Sequence, residues 1–215
     1  MGGWSFPFEK MGMKEIRFCT LLLLLVLTTG FSAVQAQQRD FDLRAGDLLF
    51  YRDTAGMGAA VKESTGEYTH VALVESVGDT VWIIDATQKY GVSRRPLLRG
   101  QGGTKPYPDV YRMRCFPEVL LDSALARARS FVGQPYDNAF LPDNGALYCS
   151  ELIYECFLDG KGGHIFEAKP MNWRDAEGRL PDYWKKHFEA LGMPVPEGVM
   201  GTNPTDLSHS PLLSN

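Results

Sequence analysis

Two apolar runs, Tyr68–Ser76 and Thr80–Ala86, stand on either side of the dipeptide Gly78-Asp79. Both are rich in β-branched and large apolar residues, and Gly-Asp is tight-turn chemistry, so the pair reads as an antiparallel hairpin. A hairpin that turns there has a set register: Ser76 faces about Val81, His70 about Thr87, and Asp85 about Ala72. His70 and Asp85 are then diagonal neighbours on one face, roughly 7–8 Å apart along the backbone, close enough for a carboxylate to accept an imidazole N–H. Glu75 lies five positions from His70 on the same strand. An odd separation points it to the opposite face, so Glu75 ranks behind Asp85 as a partner.

The rest of the chain supplies more strands, then helices. Asp47–Arg52 is a short apolar strand entered through a turn at Arg44–Asp47 that contains Gly46. A short helix fits Met57–Glu63, an edge strand fits Gly91–Leu97, and Asp109–Arg114 alternates as a half-buried strand does. Helical periodicity then appears over Pro117–Phe131, Leu147–Phe157, Asn172–Gly178 and Pro181–Leu191. Strands followed by helices, with no internal repeat, point to one domain of the α+β class. From Pro194 to Asn215 the chain has four prolines and few apolar anchors, which predicts an irregular, partly disordered tail.

At the other end, Lys14, Glu15 and Arg17 precede an apolar run at Leu21–Thr28, and small residues lead up to Ala36. The run is too short to span a bilayer, so residues 1–36 read as a signal peptide cleaved after Ala36, with Met11 or Met13 as alternative starts. The chain is then expected to be exported, periplasmic or secreted. Its formal charge is −4 and it has no basic block, which argues against a nucleic-acid partner.

Cleavage leaves three cysteines, Cys115, Cys149 and Cys156, and an odd number leaves at least one thiol unpaired. Cys149 and Cys156 are two helical turns apart, roughly 10 Å, which is too far for a disulfide. No CxxC pair and no metal-type His/Cys spacing occurs, so neither zinc nor another cofactor is expected.

Cys149 has a more specific setting. Leu152, Ile153, Cys156 and Phe157 form one apolar stripe, and Pro142-Asp143-Asn144-Gly145 just upstream is loop sequence. Cys149 therefore begins a helix, where free N–H groups and the helix dipole favour a thiolate and where its own N–H can serve a developing oxyanion. The plainer alternative is a small buried apolar residue. A nucleophilic thiol needs a base, and of the four histidines only His70 stands in a strongly patterned strand. His164 lies in a glycine-rich loop, His187 beside Lys185 and Lys186, and His209 in the tail.

The series Gly46-Asp47-Leu48-Leu49-Phe50, Thr69-His70-Val71-Ala72-Leu73-Val74, Asp85-Ala86 and Tyr148-Cys149-Ser150-Glu151-Leu152 resembles the circularly permuted NlpC-type cysteine hydrolases. Its nearest likeness is to their YiiX-like group; lecithin retinol acyltransferase is a more distant relative. The resemblance spans roughly Leu43–Phe157. It implies a circularly permuted papain-like fold over residues 37–193, a small antiparallel sheet packed on helices, with the histidine strand preceding the nucleophile helix. It implies Cys149 as nucleophile, His70 as base and then acid, and Asp85 in the third polar position. Tyr148 resembles an aromatic position near the active site, contacting substrate or positioning the thiolate. The implied substrates are amides or esters, as in cell-wall peptides or acylated lipids, so hydrolase and acyltransferase both stand. A non-catalytic binding module on the same fold is the rival that the intact Cys149 and His70 oppose.

Overall fold

The computed structural model describes residues 42–97 and 108–215; the proposed signal segment, residues 1–36, lies outside them. Six strands form one antiparallel sheet: β1 (Leu48–Tyr51), β2 (His70–Ser76), β3 (Trp82–Thr87), β4 (Gly91–Pro96), β5 (Asp109–Met113) and the last, β8 (Leu213–Ser214). Their order is β4-β3-β2-β1-β5-β8. A second, two-stranded ribbon pairs β6 (Lys169–Pro170) with β7 (Met200–Gly201). The helices are α1 (Met57–Thr65), α2 (Glu118–Phe131), α3 (Cys149–Cys156), α4 (Asp182–Ala190) and α5 (Pro204–Ser208). The α+β class and the sheet-on-helix arrangement are as the sequence predicts.

The hairpin keeps the expected register. Leu73 faces Ile84 and Val74 faces Ile83, and a bulge beyond Val74 then brings Ser76 opposite Trp82. The bulge falls at the turn end, on the far side of Leu73 from His70. Leu48 and Phe50 of β1, Val71 and Leu73 of β2, and Ile84 and Ala86 of β3 alternate onto one face and are all fully buried. Against them pack Ala124, Leu125 and Ala128 of α2 and Leu152, Ile153 and Cys156 of α3. Complete burial of Leu152 and Ile153 is worth about 1.5–3 kcal/mol for each side chain, enough to seat a helix of only two turns on the sheet. A second cluster, Ala60, Phe140, Tyr148, Trp173, Trp184 and Phe188, fastens α1 and α4 to the loop that precedes α3.

Two expectations are corrected. Asn172–Gly178 is not helical. Asn172 Oδ1 accepts the Arg174 N–H, and Asp175 Oδ1 accepts the N–H groups of Glu177 and Arg179, so side-chain acceptors hold the backbone in turns. The segment after Pro194 is not irregular either: it forms β7, α5 and β8. Asn203 caps α5 by accepting the Asp206 N–H at 2.8 Å, with Pro204 in the first turn. Leu207 and Leu213 enter the main core, and β8 closes the sheet edge opposite Arg112 and Met113.

Candidate active site

The loop before α3 is built to deliver the chain to its first turn. Buried Asp137 accepts the N–H groups of Ala139 and Leu141, both at 2.8 Å, and Leu147 is tied back to Pro135 through its N–H. The first helical hydrogen bond runs from the Leu152 N–H to the Tyr148 carbonyl at 2.9 Å. The Glu151 carboxylate reaches back to accept the Tyr148 N–H at 3.4 Å, half of a capping box. Cys149 is therefore the first residue of the helix, and a first-turn N–H has no helical acceptor of its own.

His70 opens β2, opposite Tyr51 of β1, and the two rings lie 5.5 Å apart. Its Nε2 is 2.9 Å from Asp85 Oδ2. The Cys149 thiol lies near enough to the same imidazole to influence its charge. Burial disfavours the imidazolium, but the hydrogen bond to Asp85 and the influence of the neighbouring Cys149 outweigh it and raise the His70 pKa to about 10. The His70 side chain keeps 17% of its surface exposed while Asp85 has none. The ring can thus meet a substrate; the carboxylate cannot.

The third position carries a residue the sequence reading missed. Arg95 of β4 donates from Nε to Asp85 Oδ1 at 3.0 Å and from a terminal nitrogen to Oδ2 at 2.5 Å. Burial works against the Asp85 carboxylate, but hydrogen bonds from His70 and Arg95 hold its pKa below the ordinary value. The signal was present in Ser93-Arg94-Arg95. Alternation sends one arginine to each face, and the register that sets Asp85 opposite Ser93 brings Arg95 diagonally onto its side.

The other candidates fall elsewhere. Glu75 points away from His70 and is held by Arg94, Arg129 and Ser76. His164 stacks on Tyr154, His187 meets the Asn138 carbonyl, and His209 ends α5. Cys115, Cys149 and Cys156 are all free thiols. Cys156, at the far end of α3, is fully buried, and desolvation pushes its pKa up, away from reactivity. Tyr148 is buried: its ring packs on Phe140 in the second cluster and its hydroxyl accepts the Thr202 N–H at 3.0 Å. Among the described residues no group of three or more His, Cys, Asp or Glu side chains is arranged to hold a metal ion.

Residues 42–215 match the family model of the permuted papain-like amidase enzymes of the YaeF/YiiX type, the C92 peptidases. The uncharacterized protein YiiX of Escherichia coli strain K12 is 22% identical over 197 residues, which cover 90% of this chain and 93% of that protein. The crystal structure of metalloprotein YiiX from Escherichia coli O157:H7 superposes with a TM-score of 0.66 at 19% identity, over 81% of this chain and 96% of that one.

Proposed function

We propose, from the premise that this chain belongs to the permuted papain-like amidase family of YaeF and YiiX, that Cys149, His70 and Asp85 are its catalytic apparatus and that it cleaves amide bonds. The observation that carries this reading is the imidazole of His70 hydrogen-bonded to the buried Asp85 carboxylate, with the thiol of Cys149 at the start of α3 near enough to act on its charge.

The reaction follows from those positions. His70 takes the Cys149 proton, and the sulfur attacks the carbonyl carbon. Negative charge on the carbonyl oxygen is met by the N–H of Cys149 at the positive end of α3. The imidazolium then passes its proton to the departing nitrogen, an amine leaves, and an acyl-thioester remains on Cys149. Water, deprotonated by the same imidazole, attacks the thioester, releases a carboxylic acid and restores the thiol. Asp85, itself clamped by Arg95, keeps the ring in one tautomer and stabilises its charged form. YiiX of O157:H7 carries the description metalloprotein; among the described residues here no group of three or more His, Cys, Asp or Glu side chains is arranged to hold a metal ion. With a signal peptide over residues 1–36, the substrate is a peptide amide outside the cytoplasm, such as a cell-wall peptide, and no nucleic acid is involved.

The rate of Cys149 alkylation by iodoacetamide, followed by intact mass across pH, tests the reading. His70 should carry that rate near neutral pH, so that His70→Ala slows it by roughly tenfold or more. Equal rates in the two proteins would sink the catalytic assignment.

A further inference from the structure

We infer that the segment Gly201–Thr205 is a positioning strap, which holds the nucleophile helix and the histidine strand at their working separation. This rests on the catalytic reading of Cys149 and His70 above.

The strap grips each element through two hydrogen bonds. At the helix end, the main chain of Thr202 takes both neighbours of Cys149. Its N–H donates to the Tyr148 hydroxyl at 3.0 Å, and its carbonyl accepts the Ser150 hydroxyl at 3.1 Å. Tyr148 and Ser150 flank the thiol in sequence, so the first turn of α3 is clasped from both sides of the nucleophile. At the strand end, the Thr205 hydroxyl occupies both main-chain groups of Tyr68. It accepts the Tyr68 N–H at 3.0 Å and donates to the Tyr68 carbonyl at 3.2 Å. Tyr68 stands two residues before His70, where β2 has not yet begun its regular pairing.

The connection between the two grips is short and stiff. Asn203 caps α5, its amide also donates to Asp206 at 2.7 Å, and Pro204 has a restricted φ. Distal to it, the Arg114 N–H donates to the Leu212 carbonyl and β8 pairs with β5, so the strap is anchored at its far end as well. The fit at the helix end is close. A Cβ on Gly201 would lie 2.8 Å from the Tyr148 hydroxyl and 2.5 Å from Met171 Sδ, so a side chain there must displace both. Without the strap, α3 and the start of β2 would still share the main core, but nothing in this segment would tie their ends together. Misplacement of reacting groups by about 1 Å can cost up to 10²-fold in rate.

Thr205→Val keeps the shape and removes the hydroxyl, leaving both Tyr68 main-chain groups without it. In the full chain, Thr205→Val should slow Cys149 alkylation roughly tenfold at neutral pH and move its pH profile toward that of His70→Ala. Thr205→Ser should keep the wild-type profile. Gly201→Ala presses on the other grip, should act in the same direction, and carries the test should Thr205→Val not fold. Leu121→Ala, which disturbs the packing of α2 on the Gly46 turn, should lower the melting temperature and leave the profile in place. Wild-type profiles in Thr205→Val and Gly201→Ala, with His70→Ala still slow, would overturn the strap and spare the catalytic reading. The same overturning follows if Leu121→Ala slows alkylation as much as they do. Wild type and His70→Ala reacting alike would remove both.

Discussion

Two buried carboxylates sit on the strands of the same hairpin and face opposite ways. Glu75 of β2 is held by Arg129 at 2.6 Å, by Arg94 at 3.0 Å and by the Ser76 hydroxyl at 2.8 Å. Asp85 of β3 is held by Arg95 and by His70. Arg94 and Arg95 are consecutive on β4, so one strand supplies a cation to each face. Desolvation opposes both carboxylates, and in both cases hydrogen bonds and cations overcome it and keep the acid below its ordinary pKa. The construction is shared up to the last partner. The partners of Glu75 are two guanidinium groups and a hydroxyl, whereas Asp85 shares Oδ2 with the imidazole of His70, near Cys149. A buried acid paired only with arginines is an anchor; exchanging one arginine for a titratable ring turns the same device into an orienting group.

The sharpest way to break this contrast is to neutralise each acid in turn. Asp85→Asn removes the charge that favours the imidazolium and the acceptor that sets its tautomer, and hydrolysis should fall by on the order of 10³–10⁴. Glu75→Gln should leave the rate within about threefold and instead cost stability. Arg94 and Arg129 are 39% and 50% exposed and can turn to water, so the loss should be modest, about 1–2 kcal/mol. Initial rates and urea unfolding on both variants decide it. Comparable rate losses in the two would erase the distinction.

A smaller effect separates the two arginines. Arg95→Leu leaves His70 and Asp85 in place but removes the clamp on both carboxylate oxygens, and hydrolysis should drop roughly tenfold. The sign of the accompanying pH shift follows from Asp85. Its pKa is depressed, so its function is lost as pH falls through that value, and loss of Arg95 raises it. The acid limb of the rate profile should therefore move to higher pH in Arg95→Leu and stay put in Arg94→Leu. An unmoved limb in Arg95→Leu would mean that Arg95 contributes packing alone.

The site was legible where local rules set it. Turn chemistry at Gly78-Asp79 and the two-residue period of a strand put His70 and Asp85 on one face, and loop residues ahead of an apolar stripe put Cys149 at a helix start. Arg95 escaped because Gly91–Leu97 read only as a short edge strand, with no partner drawn for its charges. The strap was missed for a different reason. Its order comes from hydrogen bonds such as that between Thr205 and Tyr68, 137 positions apart, and from single apolar residues such as Leu207 and Leu213. Neither leaves a periodic trace, and its prolines, which suggested an irregular chain, instead stiffen it. Asn172–Gly178 shows the reverse error, since helical spacing there loses to Asn172 and Asp175 side chains that capture nearby N–H groups.

A third buried carboxylate gives the mildest and most discriminating test. Glu151 lies on the first turn of α3, two residues past Cys149, with no arginine or lysine bonded to it among the described residues. Desolvation dominates here, the charge of Asp137 adds to it, and the Tyr148 N–H compensates only in part, so the pKa rises to about 8. Its sign is therefore opposite to that of Glu75 and Asp85. In the window between the ordinary value of 4.5 and about 8, the folded chain binds more protons than the unfolded one, and stability declines as pH rises. His70 contributes a decline of the same sense, but mainly from 6.5 upward, where the unfolded ring has lost half or more of its proton while the folded ring holds it toward about 10. Unfolding measured from pH 4.5 to 6.5 consequently isolates Glu151 from the histidine. Glu151→Gln, which keeps an acceptor for the Tyr148 N–H, should flatten the slope across that window and be more stable than the wild type at its upper end. An unchanged slope would mean that the carboxylate stays ionised there, and that a buried acid at this helix start needs no cation to hold its charge.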